Sequence, residues 1–324
     1  MQSFPKVIAS SVVRSAQQGE SHGGLYIVDL ETGIFQQVID WNDKSISWEG
    51  RGSDRGLRGI AFHQEEIYLA ASDEIFIYDP SFKQVGSLKN RYLKHCHETH
   101  LADGVLYLTS TGFNSVLEVD LATKKFVRGH SITRTGGGET SWLRRLTTAK
   151  PSRAEYRATT FDPNKEDGPA EDGSLHLNSV TVHYDAMMTS GTQTDALIAI
   201  QNGRVSTYAQ LPRGTHNAAA YRDGVIYNDT ASDRIVIANR VSAIRQSFAV
   251  PKFDTADLTH TDVPNDHARQ GFARGLCTHG DVLIGGSSPS TISIYSIATG
   301  DCLKSVNISK DIRNCIHGLE IWPW

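Results

Sequence analysis

Short apolar runs rich in Ile, Val, Leu, Tyr and Thr alternate with Gly, Asp, Asn and Ser turns along almost the whole chain. That is the pattern of short β-strands joined by tight turns. No segment carries the i, i+3, i+4 apolar spacing of an amphipathic helix. The strands come in sets of four. Leu57 to Leu88 divides into GIAF, EIYLAA, EIFIYD and QVGSL, and His97 to Gly129 divides the same way. Further sets begin at His176, His216 and Arg274. A sixth set is split between the chain ends: HGLEIWPW supplies an innermost strand, while VIASSVV, GLYIVDL and IFQQVID supply the other three. Four-stranded repeats of about forty residues predict an all-β fold, a six-bladed β-propeller. The reading is one domain over residues 1–324, its ring closed by one C-terminal and three N-terminal strands.

Three stretches interrupt the repeat: residues 130–175, the run KFDTADLTHTDVPNDHARQGF before Arg274, and WNDKSISWEGRGSD before Arg58. Each joins an outermost strand to the next innermost strand, so all three emerge on one face of the ring. Long connections within a compact domain are usually functional or disordered. Residues 130–175, which carry little strand pattern, are expected to form a lid over the channel, with Trp142, Arg144 and Arg145 in reach of a ligand.

Aligning the innermost strands places one residue of each blade at the same mouth of the channel: Arg58, His97, Asn178, His216, Arg274 and His317. Glu98, His176 and Asn217 stand beside them. Two chemistries fit this set. Three neutral imidazoles on alternate blades, His97, His216 and His317, form a candidate catalytic site for one divalent transition metal such as Zn, Fe, Mn or Cu. Without a metal, the same histidines act as general acid and base or as a nucleophile. In both cases Arg58 and Arg274 hold an anionic small molecule, with Asn178, Glu98, His176 and Asn217 as further substrate contacts. An enzyme acting on a small anion is the leading expectation, and a non-catalytic propeller that binds a ligand or a protein is the alternative. HCHETH has no standard metal-ligand spacing.

Composition narrows the picture. A net charge of -4 argues against nucleic-acid binding, and no apolar run approaches a membrane span. Cys96, Cys277, Cys302 and Cys315 are scattered without CxxC pairs and read as reduced thiols. With no signal-peptide pattern at the start of the sequence, a cytoplasmic location is expected. The oligomeric state leaves no trace in the sequence. DPNKEDG from Asp162 lacks the spacing of a calcium loop, and TGGGE from Thr135 lacks the lysine of a phosphate loop. His22, His63, His130, His183 and His279 fall in turns or outer positions and read as surface residues.

HLNSVTV from His176, PRGTHNAAAYRDGVIY from Pro212, and GFARGL with GDVLIGGSSPS from Gly271 resemble an uncharacterised bacterial propeller family. In that family H-L-N-G, P-H-S-P-R-W-x-D-G-x-L and G-F-T-R-G-L recur in this order. The resemblance covers roughly the C-terminal half and implies His176, Asn178, His216, Arg274 and Gly275 as signature positions. It implies no reaction. His317 in CIHGLEIWP departs from that family's pattern. The central His and Arg residues also resemble, in kind only, the sites of propeller arylsulfate sulfotransferases.

Overall fold

A computed structural model describes residues 4–17, 19–42, 56–136, 154–263 and 269–324. Six antiparallel sheets surround one axis as the blades of a six-bladed β-propeller. Counted from the Arg58 blade, the innermost strands are Ile60–His63, Thr99–Ala102, Leu177–His183, Thr215–Tyr221, Arg274–His279 and Asn314–Ile321. Successive side chains of a strand point to opposite sheet faces. Each middle strand therefore feeds the two blade interfaces alternately. Ile8 packs with Ile60 and Ile67 of the first blade, whereas Val7 and Ala9 pack with Val282 and Ile292 of the fifth. Among the described residues, six such clusters fill the six interfaces.

The sixth blade closes the ring as the split repeat requires. Asn314–Ile321 pairs with Lys6–Val13, with Val7 opposite Ile321 and Val13 opposite Asn314. Gly24–Asp29 and Phe35–Asp40 complete that sheet. Beyond the strand, Trp322 stacks on Phe82 at 5.7 Å and Trp324 meets Phe62 edge-on at 5.3 Å, so the tail is also fastened to the first blade.

The second blade carries an addition that the sequence reading missed. Tyr156–Phe161, inside the 130–175 segment, pairs with Lys125–Arg134 as a fifth strand. The Phe161 ring lies where a Cβ on Gly129 would sit, so that position needs glycine. The following turn is fastened to the flank of the blade: Asn90 Nδ2 donates to the Pro163 carbonyl, and Tyr92 hydroxyl to that of Lys165. The expected lid therefore includes a blade strand and its return. Its centre, residues 137–153 with Trp142, Arg144 and Arg145, lies outside the described residues, as do 43–55 and 264–268 within the other two connections. Among the described residues no helix is long and apolar enough to cross a membrane. All four cysteines are free, Cys96 and Cys315 being buried.

Candidate functional site

All six aligned residues are buried, and His317 lies 5.5 Å from His97 and 2.9 Å from Arg274. Arg58 is 2% exposed, Asn178 1%, His317 3%, His216 4%, and His97 and Arg274 5%. Local backbone irregularity sets their aim. The innermost strands of the third to sixth blades slip register at or just after the ring position, at Asn178, Asn217, Gly275 and the His317–Gly318 pair. Such bulges re-aim a side chain at the end of a ladder. Asn217 and Gly275 take positive φ, of 50° and 71°. A Cβ at Gly275 would press on Leu319 and the His317 carbonyl, so glycine is required there.

Hydrogen bonds fix the tautomers of the imidazoles. His97 Nδ1 lies 2.8 Å from the His95 carbonyl and 2.9 Å from Thr111 Oγ1. Thr111 spends its own proton on the Leu177 carbonyl of the third blade. His97 Nδ1 must therefore carry the hydrogen, which leaves Nε2 as a bare lone pair. The fourth blade repeats the device: His216 Nδ1 meets Thr230 Oγ1 at 2.9 Å, and Thr230 donates to the Ala273 carbonyl of the fifth blade. Among the described residues His216 Nε2 is buried without a partner. His317 is held differently, since Arg274 Nη1 lies 2.9 Å from its Nε2. Arginine only donates, so His317 Nε2 accepts and its hydrogen sits on Nδ1, 4.0 Å from Glu98 Oε1.

Burial, reinforced by nearby guanidiniums, holds the three imidazoles well below the ordinary histidine pKa. They are neutral bases near pH 7. The strongest positive feature lies outside the aligned ring. Arg14, at the end of the sixth blade's second strand, is 6% exposed. It rests 4.8 Å above the Phe272 ring, and its guanidinium has no hydrogen-bond or carboxylate partner among the described residues. Arg274 stacks on the same ring at 4.6 Å and His216 lies 6.3 Å from it. An uncompensated buried charge is costly, so this site favours a negatively charged guest.

The remaining expected residues divide by role. His176 packs edge-on to His97 at 5.0 Å. Asn178 Nδ2 donates to the Thr215 carbonyl, joining two blades. Asn217 Nδ2 donates to Glu98 Oε1, while its Oδ1 accepts from Asn228 and from the Gly275 amide. Glu98 and Asn217 thus sit one layer below the ring. The residues as arranged do not fit the single shared ion expected for His97, His216 and His317. Arg274 occupies the His317 nitrogen that faces it, and cationic groups crowd the mouth. Among the described residues no group of three or more His, Cys, Asp or Glu is arranged to hold a metal. Two of the histidines read as surface residues are buried instead: His22 at 1%, and His130, which pairs with Glu118 at 2.7 Å.

Fold and site together define a six-bladed propeller with a histidine–arginine channel mouth. No family model matches the chain, and no curated protein does. Similar solved structures share its architecture at very low identity. A chain of the nidogen/laminin complex aligns with TM-score 0.60 and 8% identity over 98% of this chain and 97% of that one. A Bacteroides caccae protein of unknown function gives 0.56 and 11%, covering 98% of both. A streptogramin B lyase gives 0.46 and 11%, covering 79% of this chain and 70% of its own. At such identities the likeness is one of fold.

Proposed function

We propose that the channel mouth is an active site that binds a small anionic molecule and acts on it without a metal. The observation that carries this reading is Arg14, a buried guanidinium without a counter-charge among the described residues, against the same Phe272 ring as His216, whose Nε2 is bare. An incoming phosphate, sulfate or carboxylate would supply the missing negative charge and accept paired hydrogen bonds from Arg14. His216 is then the base or nucleophile, because its hydrogen is held on Nδ1 by Thr230. His97, two blades away on the same ring, has a second bare Nε2, and the guanidiniums would stabilise developing negative charge. The propeller alone does not choose a reaction.

Calorimetric titration with inorganic phosphate and sulfate, followed by assay of aryl phosphate and aryl sulfate monoesters, tests this. Arg14→Gln should weaken anion binding at least tenfold. His216→Gln should keep binding and abolish turnover. A wild-type protein that binds the anions and turns over no ester of either class would fit the second reading, a ligand-binding propeller.

A further inference from the structure

Beneath the ring the innermost strands continue as two more layers. The first holds Gly59, Glu98, Ser179, Asn217, Gly275 and Gly318, so Glu98 is the one long acidic side chain among small neighbours. The glycines draw the strands together there: a Cβ at Gly59 would lie 2.6 Å from the Thr99 amide nitrogen, and one at Gly318 2.3 Å from the Arg58 carbonyl. Glu98 crosses this waist, taking its hydrogen bond from Asn217 two blades away. Below the waist lies a cavity of about 180 Å³, lined by Glu98, Glu320, Thr99 and Thr181 and walled by Val180 and Leu276. At about 30 Å³ per water it holds roughly six waters, or one small organic molecule.

The lining is unbalanced. It contains two carboxyl groups and no lysine or arginine, and its one basic residue, His100, is held neutral by burial. Thr99 is 7% exposed, and neither its hydroxyl nor that of Thr181 has a partner among the described residues. The Glu320 carboxyl makes no hydrogen bond among the described residues, and burial raises its pKa to about 7. Glu98 is raised to about 8, chiefly by burial and further by Glu320, against the opposing pull of Asn217, Arg274 and Arg58. His317 and Cys277 also face this pair, and neither brings a positive charge. Carboxyls that retain protons near neutrality in a cavity with spare acceptors are poised to exchange those protons for a cation.

We infer that this cavity is a second binding site, separate from the mouth, for a small primary ammonium ion held by Glu98, Glu320 and the two threonine hydroxyls. An ammonium head has three N–H donors to match those acceptors, and the Val180 and Leu276 walls suit a short carbon chain. A divalent metal is less suited, because among the described residues no group of three or more His, Cys, Asp or Glu is arranged to hold one. The site stands independently of any reaction at the mouth.

The test is calorimetric titration of the full chain with n-propylammonium chloride, without anionic ligand, at pH 6 and pH 9. Tetramethylammonium, which has no N–H donor, serves as the control. Saturable binding of n-propylammonium is expected, tighter by more than tenfold at pH 9, with proton release at the lower pH. Tetramethylammonium should bind at least tenfold more weakly. Glu98→Gln retains an acceptor for Asn217, and it and Glu320→Gln should each lower affinity about tenfold to hundredfold at pH 9, the range a charge-assisted hydrogen bond supports. Absence of saturable binding at pH 9, or an affinity unchanged in both folded variants, would overturn the assignment and leave a water-filled channel. Because phosphate and sulfate are absent and the tetramethylammonium control is titrated as the same chloride salt, either outcome is independent of phosphate binding at the mouth.

Discussion

Ser10 fastens the closing blade to the mouth, and its removal has a calculable effect. Its Oγ accepts the Gly318 amide hydrogen at 2.8 Å and donates a short hydrogen bond to the Arg58 carbonyl. One fully buried hydroxyl therefore serves two backbone groups on neighbouring blades, the carbonyl of ring residue Arg58 and the amide next to His317. Ser10→Ala removes both hydrogen bonds. Each unsatisfied buried polar group costs about 1–3 kcal/mol, and the space of one hydroxyl is too small to admit a replacement water. The expected loss is therefore about 2–6 kcal/mol, a large fraction of a typical domain's 5–15 kcal/mol. Urea unfolding should show a lower midpoint with an unchanged slope, and amide exchange at Gly318 should accelerate. Gly318→Ala approaches the same junction from the other side, since its Cβ would lie 2.3 Å from the Arg58 carbonyl oxygen. A Ser10→Ala protein within about 0.5 kcal/mol of wild type, the usual range of an inconsequential surface substitution, would refute the bridging role.

Thr230→Val keeps the shape of the side chain but removes one of the two acceptors of His216 Nδ1, leaving the Gly214 carbonyl at 3.2 Å, and removes the donor to Ala273; a loss of about 1–3 kcal/mol by urea unfolding is expected, with weakened turnover. Stability should peak near pH 6.5. Below that value the unfolded chain binds protons that His97, His216 and His317 refuse, at up to about 1.4 kcal/mol per pH unit for each imidazole. Between about pH 4.5 and 6.5 these three outweigh Glu98 and Glu320, which act in the opposite sense. Above pH 6.5 the two carboxyls, raised to about 8 and about 7, hold protons that the unfolded chain has released; they remove about 2–3 kcal/mol by pH 8, about half of it offset by the last of the histidine gain. Glu98→Gln should flatten that alkaline limb, which denaturant titrations across the range would register. Deleting residues 317–324 removes buried Leu319, half of the closing ladder and the Trp322 and Trp324 anchors, and should leave no cooperative unfolding transition.

The architecture was legible because a propeller writes its blade into the sequence once per blade, and the chain ends had to complete each other. The ring was legible for the same reason: alignment put Arg58, His97, Asn178, His216, Arg274 and His317 in one column. What escaped depends on contacts between blades. Thr111 and Thr230 each follow their histidine by the same interval, yet hydroxyls are common at strand ends, and their acceptors belong to the next blade. Arg14 ends a second strand, outside the aligned column, and only packing against Phe272 brings it to the mouth. The Arg274–His317 contact, which conflicts with a shared ion, likewise joins strands of two blades. Tyr156–Phe161 escaped because YRATTF is half polar and lies at the outer edge of its blade, where little apolar surface is covered.

The account rests on bare Nε2 lone pairs in a cationic mouth, and long-range proton–nitrogen NMR of histidine-labelled protein at pH 7 reads them directly. His97 and His216 should appear as neutral rings with the hydrogen on Nδ1. Added phosphate should move the His216 Nε2 resonance in the wild type and leave it in place in Arg14→Gln. Hydrogen on Nε2 of either ring, imidazolium signals at that pH, or a His216 resonance indifferent to phosphate would contradict the account.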